Sequence, residues 1–434
     1  MNWSEVVRSR LPRHPFSRGV VLIAGGTALS QSLGILVSPL LTRLFKPADF
    51  GLYAVYLSIL GILSAVASLR YELAIPLADS EERSVHVVAL SMVAVGGTVL
   101  LSGAGLAAFG ARLVAEINSP DLRPYLGFVP FGLAAAGIFT VMNFWLIREK
   151  AYTLMAKSRL AQGISLVAVQ VTAGVLGIGP LGLIVGYMAG HIAGGAVAVR
   201  AFWKKRSVEI RRVTWSGIGR EAGRYRKFPL YSGTSSLVNS AAGNLPALLL
   251  AAFYGPQTAG WFGLGQRLMG GIKALAVDAV ARVYIGEASP LVFEDPRRLH
   301  RLYHRALFRL LAMAAVPIAV IVVLGPSGFA FIFGEEWRTM GLYLRYFSLA
   351  FWLQIGVGAL SPTLMILERQ RTQLVYDIVR LVLVIASIGT AELLSWSAAQ
   401  AVLILSLTNA LTFLALILIT SRILTERVRK AKGR

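Results

Sequence analysis

The chain has 434 residues, of which 56% are hydrophobic and 15% charged, with 43 Lys and Arg against 21 Asp and Glu, a formal net charge of +22 and no Cys. Soluble chains carry about 25% charged residues, so this composition excludes an ordinary soluble globular protein, and the lack of Cys excludes disulfides, Cys-ligated zinc, iron–sulfur clusters and thiol catalysis. A nucleic-acid binder displays its basic residues on a folded polar surface; here they share the chain with long apolar runs, and no nucleic-acid partner is expected.

About 20 largely apolar residues are enough for a helix to cross the hydrocarbon layer of a bilayer. Twelve such windows follow one another along the chain: 19–44, 50–69, 84–110, 125–147, 160–178, 181–201, 229–254, 258–285, 306–333, 341–367, 374–391 and 396–420. Lys46-Pro47-Ala48-Asp49, Gly179-Pro180 and Gly255-Pro256 read as tight reversals between neighbouring helices. The first window follows Arg8, Arg10, Arg13 and Arg18 as a signal peptide would, but its apolar run exceeds the usual h-region, so it is expected to be retained.

Cytoplasmic connections carry an excess of Lys and Arg. With the N-terminus placed in the cytoplasm, 35 of the 43 basic residues fall on that side and six (Arg43, Lys46, Arg112, Arg123, Arg338 and Arg345) on the other, while Arg267 and Lys273 lie inside a window. Both termini are therefore expected in the cytoplasm, with the basic loops held near anionic membrane lipids. The basic stretch 202–228 reads as a solvated linker.

An internal repeat divides the chain. The segment from Leu40 to Tyr53 aligns without gaps on residues 249–262, an offset of 209, with Pro47 on Pro256, Gly51 on Gly260, Phe45 on Tyr254 and Tyr53 on Phe262. The expected fold is an all-α polytopic membrane protein of about 12 transmembrane helices, in two parallel six-helix lobes around a central cleft. Its parts are a tail 1–18, an N-lobe 19–201, the basic linker 202–228, a C-lobe 229–420 and a basic tail 421–434. Parallel repeats of this kind occur in secondary transporters, where they permit alternating access.

Ionisable side chains deep in a span are costly and mark functional sites by default. In the eighth window Arg267, Asp278 and Arg282 fall within about 60° of one helix face, while Lys273 points elsewhere. Asp278 and Arg282 are four apart, which suits either an internal ion pair or a coupling site. Further candidates sit near helix ends: Arg43, Arg70 with Glu72, Arg148 with Asn143, and Asp377 with Arg380, where terminal Arg residues also serve as interface anchors. Gln31, Asn239, Asn244, Gln266 and Gln354 either line the cleft or tie helices together. An excess of Arg and Lys over carboxylates (Asp278, Asp377 and Glu392 being the deep ones) favours an anionic cargo. His300 and His304 have metal-ligand spacing but lack the glutamate of an HExxH motif, so neither a metal nor another cofactor is expected.

Four stretches resemble the bacterial polysaccharide flippases, the O-antigen and exopolysaccharide lipid-carrier translocases of the multidrug/oligosaccharidyl-lipid/polysaccharide exporter superfamily. They are LTRLFKPADFGLYAVYLSI (41–59), LRYELAIPLADS (69–80), LLLAAFYGPQTAGWFGLGQRL (248–268) and FGEEW (333–337). The resemblance implies an inner-membrane protein that moves undecaprenyl-diphosphate-linked oligosaccharide from the cytoplasmic to the periplasmic leaflet, serving a glycan polymerase and export machinery. It implies basic residues for the diphosphate, here Arg43, Arg70, Arg267 and Lys273. Asp278 and Arg282 stand where neutral residues are expected, so the coupling mechanism or glycan class departs from the pattern. A cation or drug antiporter of the same superfamily is the competing reading. An enzyme is not expected, because no long connection is available outside the membrane to house its chemistry.

Overall fold

The computed structural model describes the backbone of residues 15–117 and 119–432, and the side chains of 29–430 except at 31, 118, 272, 274–276, 278, 279, 282 and 293. Among the described residues twelve long helices follow the order of the twelve windows. They are α1 Pro15–Leu44, α2 Pro47–Ser64, α3 Glu81–Glu116, α4 Phe128–Arg148, α5 Tyr152–Val175, α6 Pro180–Arg211, α7 Thr234–Tyr254, α8 Pro256–Glu294, α9 Pro296–Phe333, α10 Arg338–Leu360, α11 Gln370–Leu393 and α12 Ala398–Lys432. Among the described residues there is no strand, and nine segments are long and apolar enough to cross a bilayer, which makes the chain a multi-pass membrane protein. α5 is long enough but carries Lys157, Arg159, Gln162 and Gln170.

Several helices overshoot their windows because polar residues continue the helix beyond the apolar stretch. α9 begins ten residues before its window. Asp295 caps it by accepting from the backbone N–H groups of Arg297 and Arg298, and Pro296 occupies the first turn, where no N–H is needed. The stretch expected as a linker is largely helical: α6 runs on to Arg211, and a short helix, Trp215–Arg224, starts at the Thr214 cap.

The helices form two compact units. The first comprises, of the described residues, 15–44, 59–113 and 122–237. Its core gathers Trp145, Ile75, Val87, Leu146 and Phe202. Within it α5 and α6 approach closely because Gly186, Gly190 and Gly194 recur every four residues on α6. A Cβ on any of the three would lie 2.4–2.8 Å from Gln170, Gln162 or Phe139 atoms. The 69–80 segment forms a 3-10 turn, Tyr71–Leu77, entered through Leu69 and Arg70 at positive φ. Arg148 holds this turn by donating to the carbonyls of Ile75, Ala78 and Ser80.

The second unit comprises 45–58, 114–121 and 238 onwards. Here the two copies of the repeat pack on each other. A Cβ at Gly51 would stand 1.7 Å from the carbonyl oxygen of Pro256, and one at Gly260 would stand 1.9 Å from that of Pro47. Gly263 meets Ala54, its own counterpart in the repeat. This reciprocity is that of a local two-fold contact, and only glycine permits backbones so close. The FGEEW segment closes the same region: Trp337 is buried edge-on to Phe50 at 5.1 Å, and Trp261 donates to the Glu336 carbonyl.

Candidate functional site

Polar residues in the second unit converge on a cavity of about 660 Å³, counting the part that opens outward. Helical periodicity places Phe262, Gln266, Gly270 and Lys273 on one face of α8, and Phe347, Phe351 and Gln354 on one face of α10. α7 contributes small residues, α11 contributes Arg380, and α12 contributes Asn409 and Phe413. Gly270 leaves the space beside it open, and the Lys273 stem lies against α10 at Gly358.

Among the described residues the lining holds two cations and three amides but no carboxylate. Arg380 rests its guanidinium over the Phe413 ring, 4.9 Å from the centroid, and its Nε has no hydrogen-bond partner among the described residues. A cation on an aromatic face keeps its planar donor edge available. Asp377, one turn earlier on α11, is buried outside the lining, where its Oδ1 accepts from Gln373. Phe262, Phe347 and Phe351 form a continuous aromatic wall, each ring 5.3 Å from the next.

The other candidates fall elsewhere. Arg267 is half-buried on α8 outside the lining, its Nη1 buried without a hydrogen-bond partner among the described residues. Arg43 and Asn239 are exposed. Arg70 pairs with the buried Glu72 at 3.4 Å, and Glu72 also accepts from Ser68. Asn143 and Asn244 donate to carbonyls one turn back, and Glu392 is exposed at the end of α11. Gln31, Asp278 and Arg282 lie outside the described side chains. His300 and His304 lie ring against ring, His300 also meeting Thr425. The sequence reading put Arg380 near a helix end and passed over Asn409 and the four phenylalanines; an Arg within an apolar window was the available signal.

Charge at the basic end of the first unit is organised differently. Glu149, just past α4, accepts from Lys205 and Arg206, and Arg206 also reaches Glu81 and Glu209. Burial raises the Glu149 carboxyl, but these cations outweigh it and hold it below the usual carboxylate range. Arg83 likewise bonds the buried Glu221, fixing the short helix to the start of α3.

Likeness to solved structures gives the fold, that of the MOP-superfamily transporters. The chain is similar to the lipid II flippase MurJ in an inward closed conformation, with a TM-score of 0.70 and 11% identity, covering 94% of this chain and 90% of that one. It is also similar to an inward-facing multidrug resistance MATE family transporter, with a TM-score of 0.69, 14% identity and coverage of 93% and 96%. A third match is a MOP superfamily transporter from Pyrococcus furiosus, described as having a binding pocket of reverse polarity, with a TM-score of 0.61, 15% identity and coverage of 94% and 96%. No curated protein matches the chain significantly. The sequence match is to a family: over residues 40–341 the chain fits the polysaccharide biosynthesis protein family, and it belongs to that family.

Proposed function

We propose that the protein is a flippase that carries undecaprenyl-diphosphate-linked oligosaccharide, an O-antigen or exopolysaccharide repeat unit, from the cytoplasmic to the periplasmic leaflet of the bacterial inner membrane. Both termini lie in the cytoplasm, and the polymerase and export machinery act on the product. The observation that carries this reading is the cleft with Lys273 and Arg380 in its lining and, among the described residues, no carboxylate.

A diphosphate cannot cross hydrocarbon unaided, because its charge would lose its hydration without replacement. Lys273 and Arg380 supply the charge, and Gln266, Gln354 and Asn409 offer amide bonds to phosphate or sugar hydroxyls. The aromatic wall suits the apolar faces of sugar rings, while the polyprenyl tail stays in lipid. Arg267 is a further cation for the same headgroup on the neighbouring face of α8. No bond is made or broken; the work is binding, desolvation and alternating exposure of the cleft to the two leaflets.

Reconstitution into vesicles with labelled lipid-linked oligosaccharide tests the reading, with cationic drugs as the opposing cargo. Movement of the labelled lipid without drug uptake is the expected result. Drug export with a static glycan lipid would replace the flippase by an antiporter of the same fold.

A further inference from the structure

The lining of the second unit's cavity mixes large rings with residues of minimal size: beside its four phenylalanines stand Gly243 of α7 and Gly270 of α8. A glycine inside a helix is less stable there than alanine, so each one needs a reason. In this unit the usual reason is close packing. A Cβ on Gly263 would stand 2.6 Å from Ala54, one on Gly341 2.9 Å from the Gly325 carbonyl oxygen, and one on Gly356 2.9 Å from Leu307. Gly243 and Gly270 differ: among the described residues nothing lies within 4 Å of a Cβ at either, and neither has a positive φ. Gly286 and Gly389 are open in the same way but lie outside the lining.

The register on α8 says what this space adjoins. Gly270 follows Gln266 by four residues and precedes Lys273 by three on one helix face, so along the axis it stands about 6 Å from the amide and about 4.5 Å from the lysine. Among the described residues Lys273 is the last of α8 in the lining, and the cavity runs from it back past Gly270 and Gln266 to Phe262. In a carrier lipid the first sugar is bonded directly to the diphosphate. A phosphate drawn to Lys273 therefore brings that sugar to the level of Gly270, with the Gln266 amide one turn further on.

We infer that Gly243 and Gly270 hold open the room for the sugar bonded to the diphosphate, so that these two positions decide how bulky a sugar the cleft accepts. This assignment rests on the flippase reading and leaves the charge to Lys273 and Arg380. A side chain at either position fills the room without meeting the protein, so it excludes the sugar while the helix gains by losing a glycine. Stability and glycan binding then move in opposite directions, the pattern of a residue kept for function at a cost to the fold.

Two arms test it on the full chain in lipid nanodiscs. In the first, wild type, Gly243→Leu and Gly270→Leu bind either bare undecaprenyl diphosphate or the same carrier bearing an oligosaccharide. Each variant should weaken the glycan-linked lipid about tenfold or more and the bare carrier far less, with a thermal midpoint at or above that of the wild type. Wild-type affinity for the glycan-linked lipid in both variants, or an equal loss of both lipids, overturns the inference. A wild type that binds neither lipid defeats the flippase reading instead. The second arm needs no bulky substituent: the chain has no Cys, so Gly243→Cys and Gly270→Cys each carry a single thiol. Both thiols should react with a water-soluble reagent, measured against the fully buried Ala391→Cys as the unreactive baseline, and the glycan-linked lipid should slow them several-fold more than the bare carrier does. Thiols that stay unreactive, or that the bare carrier shields equally well, overturn the inference.

Discussion

The first unit ties down half-buried cations such as Arg70, Arg148 and Arg206, whereas the second presents two to a cavity. Arg70 answers Glu72, Arg148 gathers three carbonyls, and Arg206 joins three carboxylates, each binding protein groups through its terminal nitrogens. Lys273 and Arg380 border space with no carboxylate in its lining among the described residues, and the buried acid nearest Arg380 on its helix is engaged by a glutamine. The contrast teaches that an Arg or Lys at membrane depth is read by its surroundings and not by its depth.

Stability measurements can break this comparison. The largest effect is expected from Arg70→Ala, which strands the Glu72 carboxylate: a loss of about 3 kcal/mol, partly restored in Arg70→Ala/Glu72→Gln. Equal thermal midpoints for the single and double variants would show that Glu72 does not depend on Arg70. Arg148→Ala, which frees three carbonyls, should lower stability by about 2 kcal/mol, with transport per folded molecule kept.

The Glu149 tie adds a pH dependence of definite sign. Its carboxyl is held below the usual value, so its contribution is complete above that value and is lost as pH falls through the depressed one. The wild type should lose thermal stability more steeply than Glu149→Gln on acidification below about pH 4.5, the unperturbed Glu value. Parallel curves would remove Glu149 from the set of ties. The smallest stability change, within about 0.5 kcal/mol, is expected for Gln354→Ala, because an amide facing a cavity holds little of the fold together.

The helices were legible because a bilayer demands runs of apolar residues, and α1–α12 follow the twelve windows. Their ends were not: at α9 a polar segment capped by Asp295 extends the helix, and hydropathy does not register capping. The repeat was readable from Pro47, Gly51, Pro256 and Gly260, but not that its copies pack on one another. In the site, Gln266, Gln354 and Lys273 stood out as polar residues in apolar windows. Arg380 was discounted beside Asp377, Asn409 was overlooked in an apolar window, and Phe413 was indistinguishable from core residues until α11 and α12 were placed together. Arg70 was legible as charge but not as a tie, because its meaning depends on the backbone turn that buries Glu72.

The central claim is that the second unit's cleft grips an anion through Lys273 and Arg380. Binding of labelled diphosphate-linked oligosaccharide by the purified protein in nanodiscs tests it most directly, comparing wild type with Lys273→Ala, Arg380→Ala and Arg148→Ala at matched folded fraction. Each cleft variant should weaken binding by about tenfold or more, a cost of about 1.4 kcal/mol, with Arg148→Ala unchanged. Wild-type affinity in both cleft variants would contradict the account.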